Sequence, residues 1–195
     1  MRLAIFGGSF DPPHIGHLLA ASDAHEQLSL DRIVLVPAAT QPLKAGLAGA
    51  TAAQRLEMTR LLAQGDSRFE VSSLEVDRGG LSFTVDTLMH FATRYPTAER
   101  FLLVGADVLG SFGQWREPRR ILELAQLVML ERQHGGPAAM PATLREPELQ
   151  RLPTRRIDVS STEIRERVRS GKPIRGFVTD AVAAYIERAA LYRES

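Results

Sequence analysis

The sequence predicts an α/β fold in which helices cover both faces of a parallel β-sheet. Short runs of consecutive apolar residues alternate with longer segments of helical periodicity along most of the 195 residues. The apolar runs are continuous, as is typical of strands that are buried on both faces of a parallel sheet. Several runs end at glycine or proline, where a strand meets a loop. This alternation indicates a doubly wound, Rossmann-like sheet.

The N-terminal part predicts a strand, a helix and a second strand. Residues 3–6 form an apolar run that ends at a pair of glycines, as expected for a buried strand. After two prolines, residues 14–28 have the spacing of a helix, and residues 33–36 form a second apolar run that ends at proline.

The same pattern continues to residue 130. Thr51 and Gln54 have the spacing of a capping box and predict a helix over residues 51–64. The elements predicted after it are a strand over 69–76, a helix over 82–94, a strand over 101–104, a helix over 118–125 that begins with proline, and a strand over 127–130.

The last third predicts a loop excursion, one strand and two helices. Residues 133–153 contain several prolines and glycines and little periodicity, so we expect a variable surface excursion. A last strand over 157–159 leads into a helix capped by Ser160, and an amphipathic helix covers residues 179–190.

Composition narrows the class of protein. The chain has no cysteine, which excludes disulfides and thiolate metal sites. Its net charge of +1 argues against a chain-wide nucleic-acid surface, although residues 151–175 carry a local net charge of +5 that could face an anion. No segment approaches the roughly 20 apolar residues of a membrane helix. We expect a cytoplasmic protein with one domain over 1–195 and a small C-terminal helical part from about residue 160.

The loop after the first strand, residues 7–17, reads Gly-Gly-Ser-Phe-Asp-Pro-Pro-His-Ile-Gly-His. Glycines directly after a strand let the main chain approach a ligand, and a helix N-terminus presents free N–H groups to an anion. His14 and His17 are three residues apart, so they share a face of the first helical turn and can address one phosphate chain. The alternative is a simple turn followed by a helix with two surface histidines.

A second loop, residues 159–165, follows the predicted last strand and reads Val-Ser-Ser-Thr-Glu-Ile-Arg. Helix capping alone explains Ser160 and Glu163. It leaves Thr162 and Arg165 unexplained, whereas hydroxyls at a helix start with an arginine one turn later suit the β- and γ-phosphates of a nucleotide. Because ligands bind beyond the carboxyl ends of parallel strands, we expect the two loops to converge.

The first loop resembles the Gly-x-Phe-x-Pro-x-His-x-x-His signature of the nucleotidyltransferase superfamily, and the second resembles its Ile-Ser-Ser/Thr-x-x-x-Arg motif. Class I aminoacyl-tRNA synthetases share the His-Ile-Gly-His element, but this chain lacks a Lys-Met-Ser-Lys-Ser-like loop and room for tRNA domains. Three further segments resemble the nicotinate mononucleotide adenylyltransferases: Gln41-Pro42-Leu43-Lys44, Ser82-Phe83-Thr84, and Gly105-x-Asp107 with Trp115 downstream. The resemblance implies transfer of AMP from ATP to nicotinate mononucleotide, which gives nicotinate adenine dinucleotide and pyrophosphate in NAD biosynthesis.

The resemblance also implies the site residues. His14 and His17 are the expected catalytic contacts to the ATP phosphates. The expected ATP-binding residues are Gly7, Gly8, Ser9, Phe10, Gly105, Asp107, Ser160, Ser161, Thr162 and Arg165. The expected mononucleotide-binding residues are Lys44, Thr84, Trp115 and Arg132. Mg²⁺ is expected to arrive on the ATP phosphates, without a dedicated protein metal site.

Structural alternatives accompany four of these residues. Trp115 could simply pack, Asp107 and Thr84 could cap helices, and Arg132 could be an exposed arginine. Leu43 stands where the family usually has histidine, which leaves Lys44 as the phosphate contact. The basic residues expected on solvated faces are Arg55, Arg60, Arg119 and Arg120.

The expected partners are ATP and a pyridine mononucleotide, with neither nucleic acid nor membrane. Two competing interpretations stay open. One is transfer to nicotinamide mononucleotide or to another phosphorylated acceptor such as phosphopantetheine. The other is a nucleotide-binding module without turnover. Recognition of a carboxylate by main-chain N–H groups leaves no side-chain signature, so the sequence does not separate nicotinate from nicotinamide.

Overall fold

The computed structural model of the chain describes residues 1–41, 49–132, 144–145 and 148–193, with only the main chain for residue 132. Six parallel strands form one sheet over these residues. They are β1 (Arg2–Gly8), β2 (Arg32–Pro37), β3 (Phe69–Val71), β4 (Glu99–Gly105), β5 (Gln126–Arg132) and β6 (Leu149–Thr154). The strand order is β3-β2-β1-β4-β5-β6. The order reverses between β1 and β4, so the chain leaves the sheet in opposite directions from these two neighbours.

Eight α-helices accompany the sheet in the described ranges. They are α1 (Ile15–Gln27), α2 (Ala52–Ala63), α3 (Leu74–Arg78), α4 (Thr84–Arg94), α5 (Ala106–Leu109), α6 (Pro118–Leu124), α7 (Ser161–Arg169) and α8 (Asp180–Arg188). None of them is long and apolar enough to cross a membrane.

Helices cover both faces of the sheet, as predicted. Successive residues of a strand point to opposite faces, and each apolar strand therefore supplies two cores. On one face, Leu3 and Ile5 pack with residues of α4 and α6 such as Leu88 and Ile121. On the other face, Ala4 and Phe6 pack with apolar residues of α1. This double burial is the physical reason for the continuous apolar runs in the sequence.

A third cluster joins the C-terminal helices to α2. Met58 and Leu62 of α2 pack with Ile164 of α7 and with Val182 and Ile186 of α8, all of them buried. The helices that follow β6 are therefore anchored to the helix that follows β2.

The predicted strand over 69–76 is wrong beyond Val71. The chain turns at Ser72, whose hydroxyl accepts a hydrogen bond from the Leu74 N–H at 3.3 Å, and α3 begins there. The Ser73 hydroxyl donates to the Asp77 carboxylate at 2.6 Å. These local side-chain bonds offer the main chain an alternative to the sheet ladder.

The predicted last strand over 157–159 is also wrong, because the strand lies earlier, at β6. Residues 149–153 were expected within a surface excursion, yet Leu149 and Leu152 are buried and the segment pairs with β5. Pro153 is compatible with this position because β6 is an edge strand with a single neighbour. The rest of the expected excursion lies largely outside the described residues.

Candidate active site

The first candidate loop lies at the carboxyl end of β1, where the strand order reverses. Its main chain takes an unusual path at Phe10, which has a φ of +49° and is only 2% exposed. The Phe10 ring packs edge-on against Phe6 at 5.9 Å and His17 at 5.0 Å between ring centroids. Burial of this aromatic ring stabilises a conformation that a non-glycine residue seldom adopts.

His14 and His17 lie together at the start of α1. Their ring centroids are 3.8 Å apart, with an interplanar angle of 33°. The His14 N–H donates to Nδ1 of His17 at 3.2 Å. Because Nδ1 of His17 accepts this bond, a neutral His17 carries its proton on Nε2. The structure thus sets both the orientation and the tautomer of His17, and it brings the two predicted catalytic residues together.

The closeness of the His14 ring explains why residue 16, between the two histidines, is a glycine. A Cβ atom at this position would lie 2.9 Å from Nδ1 and 3.0 Å from Cε1 of His14. Gly8 is also tightly placed, since a Cβ would lie 3.2 Å from the Phe10 ring. At Gly7 the nearest atom would be 3.9 Å away, an ordinary contact, so packing within the chain does not require glycine there.

The second candidate loop contacts the first, as expected. Ser160 caps α7 by accepting the Glu163 N–H at 3.1 Å. Ser161 Oγ donates to the carbonyl oxygen of Pro12 at 2.8 Å, and Arg165 Nη1 donates to that of Asp11 at 2.7 Å. Arg165 Nη2 also donates to Thr162 Oγ1 at 3.2 Å. Both motifs therefore meet at the main chain of residues 11–12.

Asp11 has contacts that the sequence did not reveal. Its Oδ1 accepts hydrogen bonds from the Tyr192 hydroxyl at 2.6 Å and from the Ala50 N–H at 3.0 Å. Tyr192 is separated from Asp11 by 181 residues. No local sequence pattern links residues so far apart.

Arg55 is buried, so its expected place on a solvated face is wrong. Only 8% of the residue is exposed, and burial lowers the pKa of its guanidinium. The side chain donates to the carbonyl oxygens of Ser9 at 2.7 Å, Ala39 at 2.7 Å and Ala50 at 3.2 Å. A signal did exist, because Arg55 shares the helical face of the buried Met58 and Leu62.

Ser9 lies beside the segment that follows β2. Its hydroxyl donates to Oε1 of Gln41. Together with the Arg55 bonds to Ser9 and Ala39, this contact fixes the separation between the loops after β1 and β2. Two neighbouring strand ends are therefore tied together at the site.

The family model of the cytidylyltransferase-like proteins matches residues 5–167. A probable nicotinate-nucleotide adenylyltransferase of Gemmatimonas aurantiaca is 49% identical over 100% of this chain and 93% of its own length. The chain belongs to the nicotinate-nucleotide adenylyltransferase family. A relative with the same name from Thermus thermophilus is 46% identical over 99% of this chain and 100% of its own length.

Solved structures share the fold. The Plasmodium falciparum nicotinic acid mononucleotide adenylyltransferase complexed with NaAD is 17% identical and superposes with a TM-score of 0.75 over 98% of this chain and 97% of that one. The same enzyme complexed with APC has the same identity and TM-score. These likenesses show that the overall fold of this chain is shared with the solved structures.

The loop after β4 carries Gly105 and Asp107. Gly105 is the N-cap residue of α5, so Asp107 does not cap this helix. Asp107 is exposed and lies in the first turn of α5. A Cβ at Gly105 would lie 2.5 Å from Oδ1 of Asp107, which shows that the carboxylate folds back over the end of β4.

Trp115 and Thr84 line the same side of the sheet. The half-buried Trp115 donates from Nε1 to Oγ of Ser111 at 3.1 Å and packs against the core below α4 and α6. Thr84 is the first residue of α4, whose N-cap is Phe83, so Thr84 does not cap it. The structural alternative of packing therefore accounts for part of the Trp115 surface, and the capping alternative for Thr84 is wrong.

A buried acid supports the segment before Thr84. Glu75 is 6% exposed, and its Oε1 accepts the Thr87 hydroxyl at 2.5 Å. Burial raises the pKa of the Glu75 carboxyl, against opposing hydrogen bonds from Thr87 and Ser82. Ser82 Oγ in turn accepts the Ala39 N–H at 2.9 Å. This chain of bonds holds residues 82–84 beside the end of β2.

Two predicted mononucleotide contacts lie outside the described part. They are Lys44 and the side chain of Arg132, whose main chain ends β5. Within the described ranges, no group of three or more His, Asp or Glu side chains is arranged to hold a metal ion.

Proposed function

We propose that this chain transfers AMP from ATP to nicotinate mononucleotide, forming nicotinate adenine dinucleotide and pyrophosphate for NAD biosynthesis. The observation that carries the proposal is the contact between the two motifs. Arg165 and Ser161 of α7 bind the carbonyl oxygens of residues 11–12, two residues before His14, whose ring lies 3.8 Å from that of His17 between centroids. Relatives that are 49% and 46% identical over nearly the whole chain carry the corresponding name.

The donor nucleotide fits the carboxyl ends of β1 and β4. Gly7, Gly8, Ser9 and Phe10 bring the main chain close to ATP, and His14 and His17 meet its phosphates. The starts of α1 and α7 add N–H groups and positive dipole ends. At the start of α7 we assign to the β- and γ-phosphates the hydroxyls of Ser160 and Thr162, the main-chain N–H of Ser161, whose hydroxyl is bonded to Pro12, and the guanidinium of Arg165. Asp107 beside Gly105 is placed to accept ribose hydroxyl groups at the end of β4.

The acceptor fits the adjacent region over β2 and β4. Thr84 begins a helix, so it presents main-chain N–H groups of the kind that bind a carboxylate. Trp115 offers the part of its indole that remains exposed for stacking on a pyridine ring. We assign the acceptor phosphate to Lys44 and Arg132.

The reaction needs positioning and charge stabilisation more than a base. An oxygen of the acceptor phosphate, already anionic at neutral pH, attacks the α-phosphorus of ATP. The bond between that phosphorus and the bridging oxygen breaks, and pyrophosphate carries away the electron pair. The Nε2–H of His17 and the Arg165 guanidinium are suited to donating to the oxygens on which negative charge accumulates.

We propose that Mg²⁺ enters on the phosphates of ATP. The histidines, the arginine and the main-chain N–H groups of the site suit phosphate oxygens, and we assign the cation to the nucleotide. When bound, the ion neutralises charge on the phosphates.

We also propose that residues 1–195 work as one domain, with α7 and α8 docked on α2 as its C-terminal helical part.

Parallel assays with two acceptors test the proposal. The purified chain receives ATP and Mg²⁺ with either nicotinate or nicotinamide mononucleotide, and released pyrophosphate and the dinucleotide product are quantified. We expect a strong preference for the nicotinate acceptor. Equal or greater rates with nicotinamide mononucleotide would contradict the assigned acceptor, and the absence of pyrophosphate with both would contradict the proposed reaction.

A further inference from the structure

We propose that Tyr192 is a positioning residue whose hydroxyl holds Asp11 and thereby sets the loop that carries His14 and His17. The proposal rests on the proposed function, since it assigns the consequence of this contact to ATP binding and transfer. It goes beyond the signature motifs because Tyr192, a residue after α8, would help to hold the site at the end of β1 in place.

The Asp11 carboxylate is surrounded by partners from two distant segments. Oδ1 accepts the Tyr192 hydroxyl at 2.6 Å and the Ala50 N–H at 3.0 Å. Oδ2 lies against Gly49, where a Cβ atom would be only 2.1 Å away. The carboxylate is therefore used to join the loop to residues 49–50 and to Tyr192.

The position of Asp11 determines the position of the candidate catalytic loop. Its carbonyl oxygen accepts Arg165 Nη1 at 2.7 Å, and its neighbour Phe10 has a φ of +49°. Pro12, on the other side, accepts the Ser161 hydroxyl. His14 follows two residues later as the N-cap of α1. A shift of Asp11 must therefore move the start of α1 or break these bonds.

Tyr192 is itself held firmly enough to act as a fixed point. It has a φ of +62° and follows the buried Leu191, whose N–H donates to the carbonyl oxygen of Ile186 at 3.0 Å. Its ring packs at the cluster shared by α2, α7 and α8. Burial and the Asp11 carboxylate raise the pKa of the Tyr192 hydroxyl, so the group remains a hydrogen-bond donor at neutral and mildly alkaline pH.

Charge supports the same arrangement. Arg165 and Arg55 both lie close enough to interact electrostatically with Tyr192, and Arg55 also interacts electrostatically with the Asp11 carboxylate. Arg55 thus offsets the negative charge of Asp11, and the two guanidinium groups also donate to the carbonyl oxygens of Ser9 and Asp11. Loss of the Tyr192 hydroxyl would leave the carboxylate with one fewer donor in this partly buried cluster.

The experiment compares Tyr192→Phe with the parent and with Tyr185→Phe. Tyr185 is a matched control because it is on α8 and packs at the same cluster. We expect Tyr192→Phe to lower kcat/KM for ATP about tenfold, in line with the loss of one hydrogen bond to a charged acceptor, and Tyr185→Phe to leave it unchanged. An unaltered kcat and KM for Tyr192→Phe, whatever its thermal midpoint, would overturn the proposal.

A double-mutant cycle tests whether Tyr192 acts through Asp11. With Asp11→Ala as the second change, we expect the double variant to lose no more kcat/KM than Asp11→Ala alone. Fully additive losses would overturn the coupling. If the parent makes no dinucleotide, the proposed function fails. The affinity of the parent and of Tyr192→Phe for ATP, measured by calorimetry, then decides the positioning role, and equal affinities would refute it.

Discussion

Gly16 offers a direct test of the histidine geometry. In Gly16→Ala, the new methyl group would lie 2.9 Å from Nδ1 and 3.0 Å from Cε1 of His14. Ordinary contacts between such atoms lie near 3.5 to 4.0 Å, so the ring must move by about 0.6 to 1 Å. The His14 and His17 rings are only 3.8 Å apart between centroids, so this displacement disturbs the pair.

Activity and stability should respond differently to this change. Alanine is favoured over glycine within a helix by about 1 kcal/mol, which opposes the steric cost of moving a side chain. We therefore expect little change in the free energy of unfolding. A misplacement of about 1 Å at a reacting centre can cost on the order of a hundredfold in rate, so we expect kcat to fall by about 10- to 100-fold.

The assay is steady-state pyrophosphate release, with denaturant unfolding of the same preparation. Gly110→Ala is the matched control, because Gly110 has α-helical dihedral angles and a Cβ there would meet no atom within 4 Å. It should retain the parent kcat. Parent-like kcat in a folded Gly16→Ala variant would refute the inference that the closeness of Gly16 to His14 matters for transfer.

Three further changes probe the site and its support. His17→Ala should lower kcat by about 10²- to 10³-fold, the usual effect of removing one donor to a developing charge, and a fully active folded variant would exclude this role. Arg55→Met leaves three carbonyl oxygens without their donor and should cost about 3 to 5 kcal/mol in the free energy of unfolding. The exposed Arg60→Met on the same helix should cost less than about 0.5 kcal/mol, and similar losses for the two would contradict the assigned Arg55 bonds. Glu75→Gln should remove a pH dependence of the free energy of unfolding. Burial raises the pKa of the Glu75 carboxyl in the folded protein above its ordinary value of about 4.3. The parent therefore loses stability as pH rises from the unfolded-state pKa to the folded-state pKa, whereas glutamine does not titrate. Unfolding curves measured across this pH range decide the point, and unchanged slopes in Glu75→Gln would show that the buried acid is not their source.

The sequence by itself determined the sheet layers and the two motifs. Strands β1, β2, β4 and β5 coincide with continuous apolar runs, because burial on both faces requires apolar side chains in both directions. The helix starts at Thr51 and Ser160 could be predicted from the sequence because a cap uses residues within one helical turn. The spacing of His14 and His17 was sufficient to place them together for the same local reason.

Only the tertiary structure decided features whose partners are distant in the chain. Pairing with β5 turns residues 149–154 into a strand despite Pro153, and the buried Arg55 donates to the carbonyl oxygens of Ser9 and Ala39 in two other segments. The contact between Tyr192 and Asp11 spans 181 residues. Whether an edge segment pairs, or a charged side chain is buried, depends on the groups that folding brings beside it. Residue type and local spacing therefore indicated the chemistry of this site, whereas the groups that hold it in place emerged only when the distant segments met.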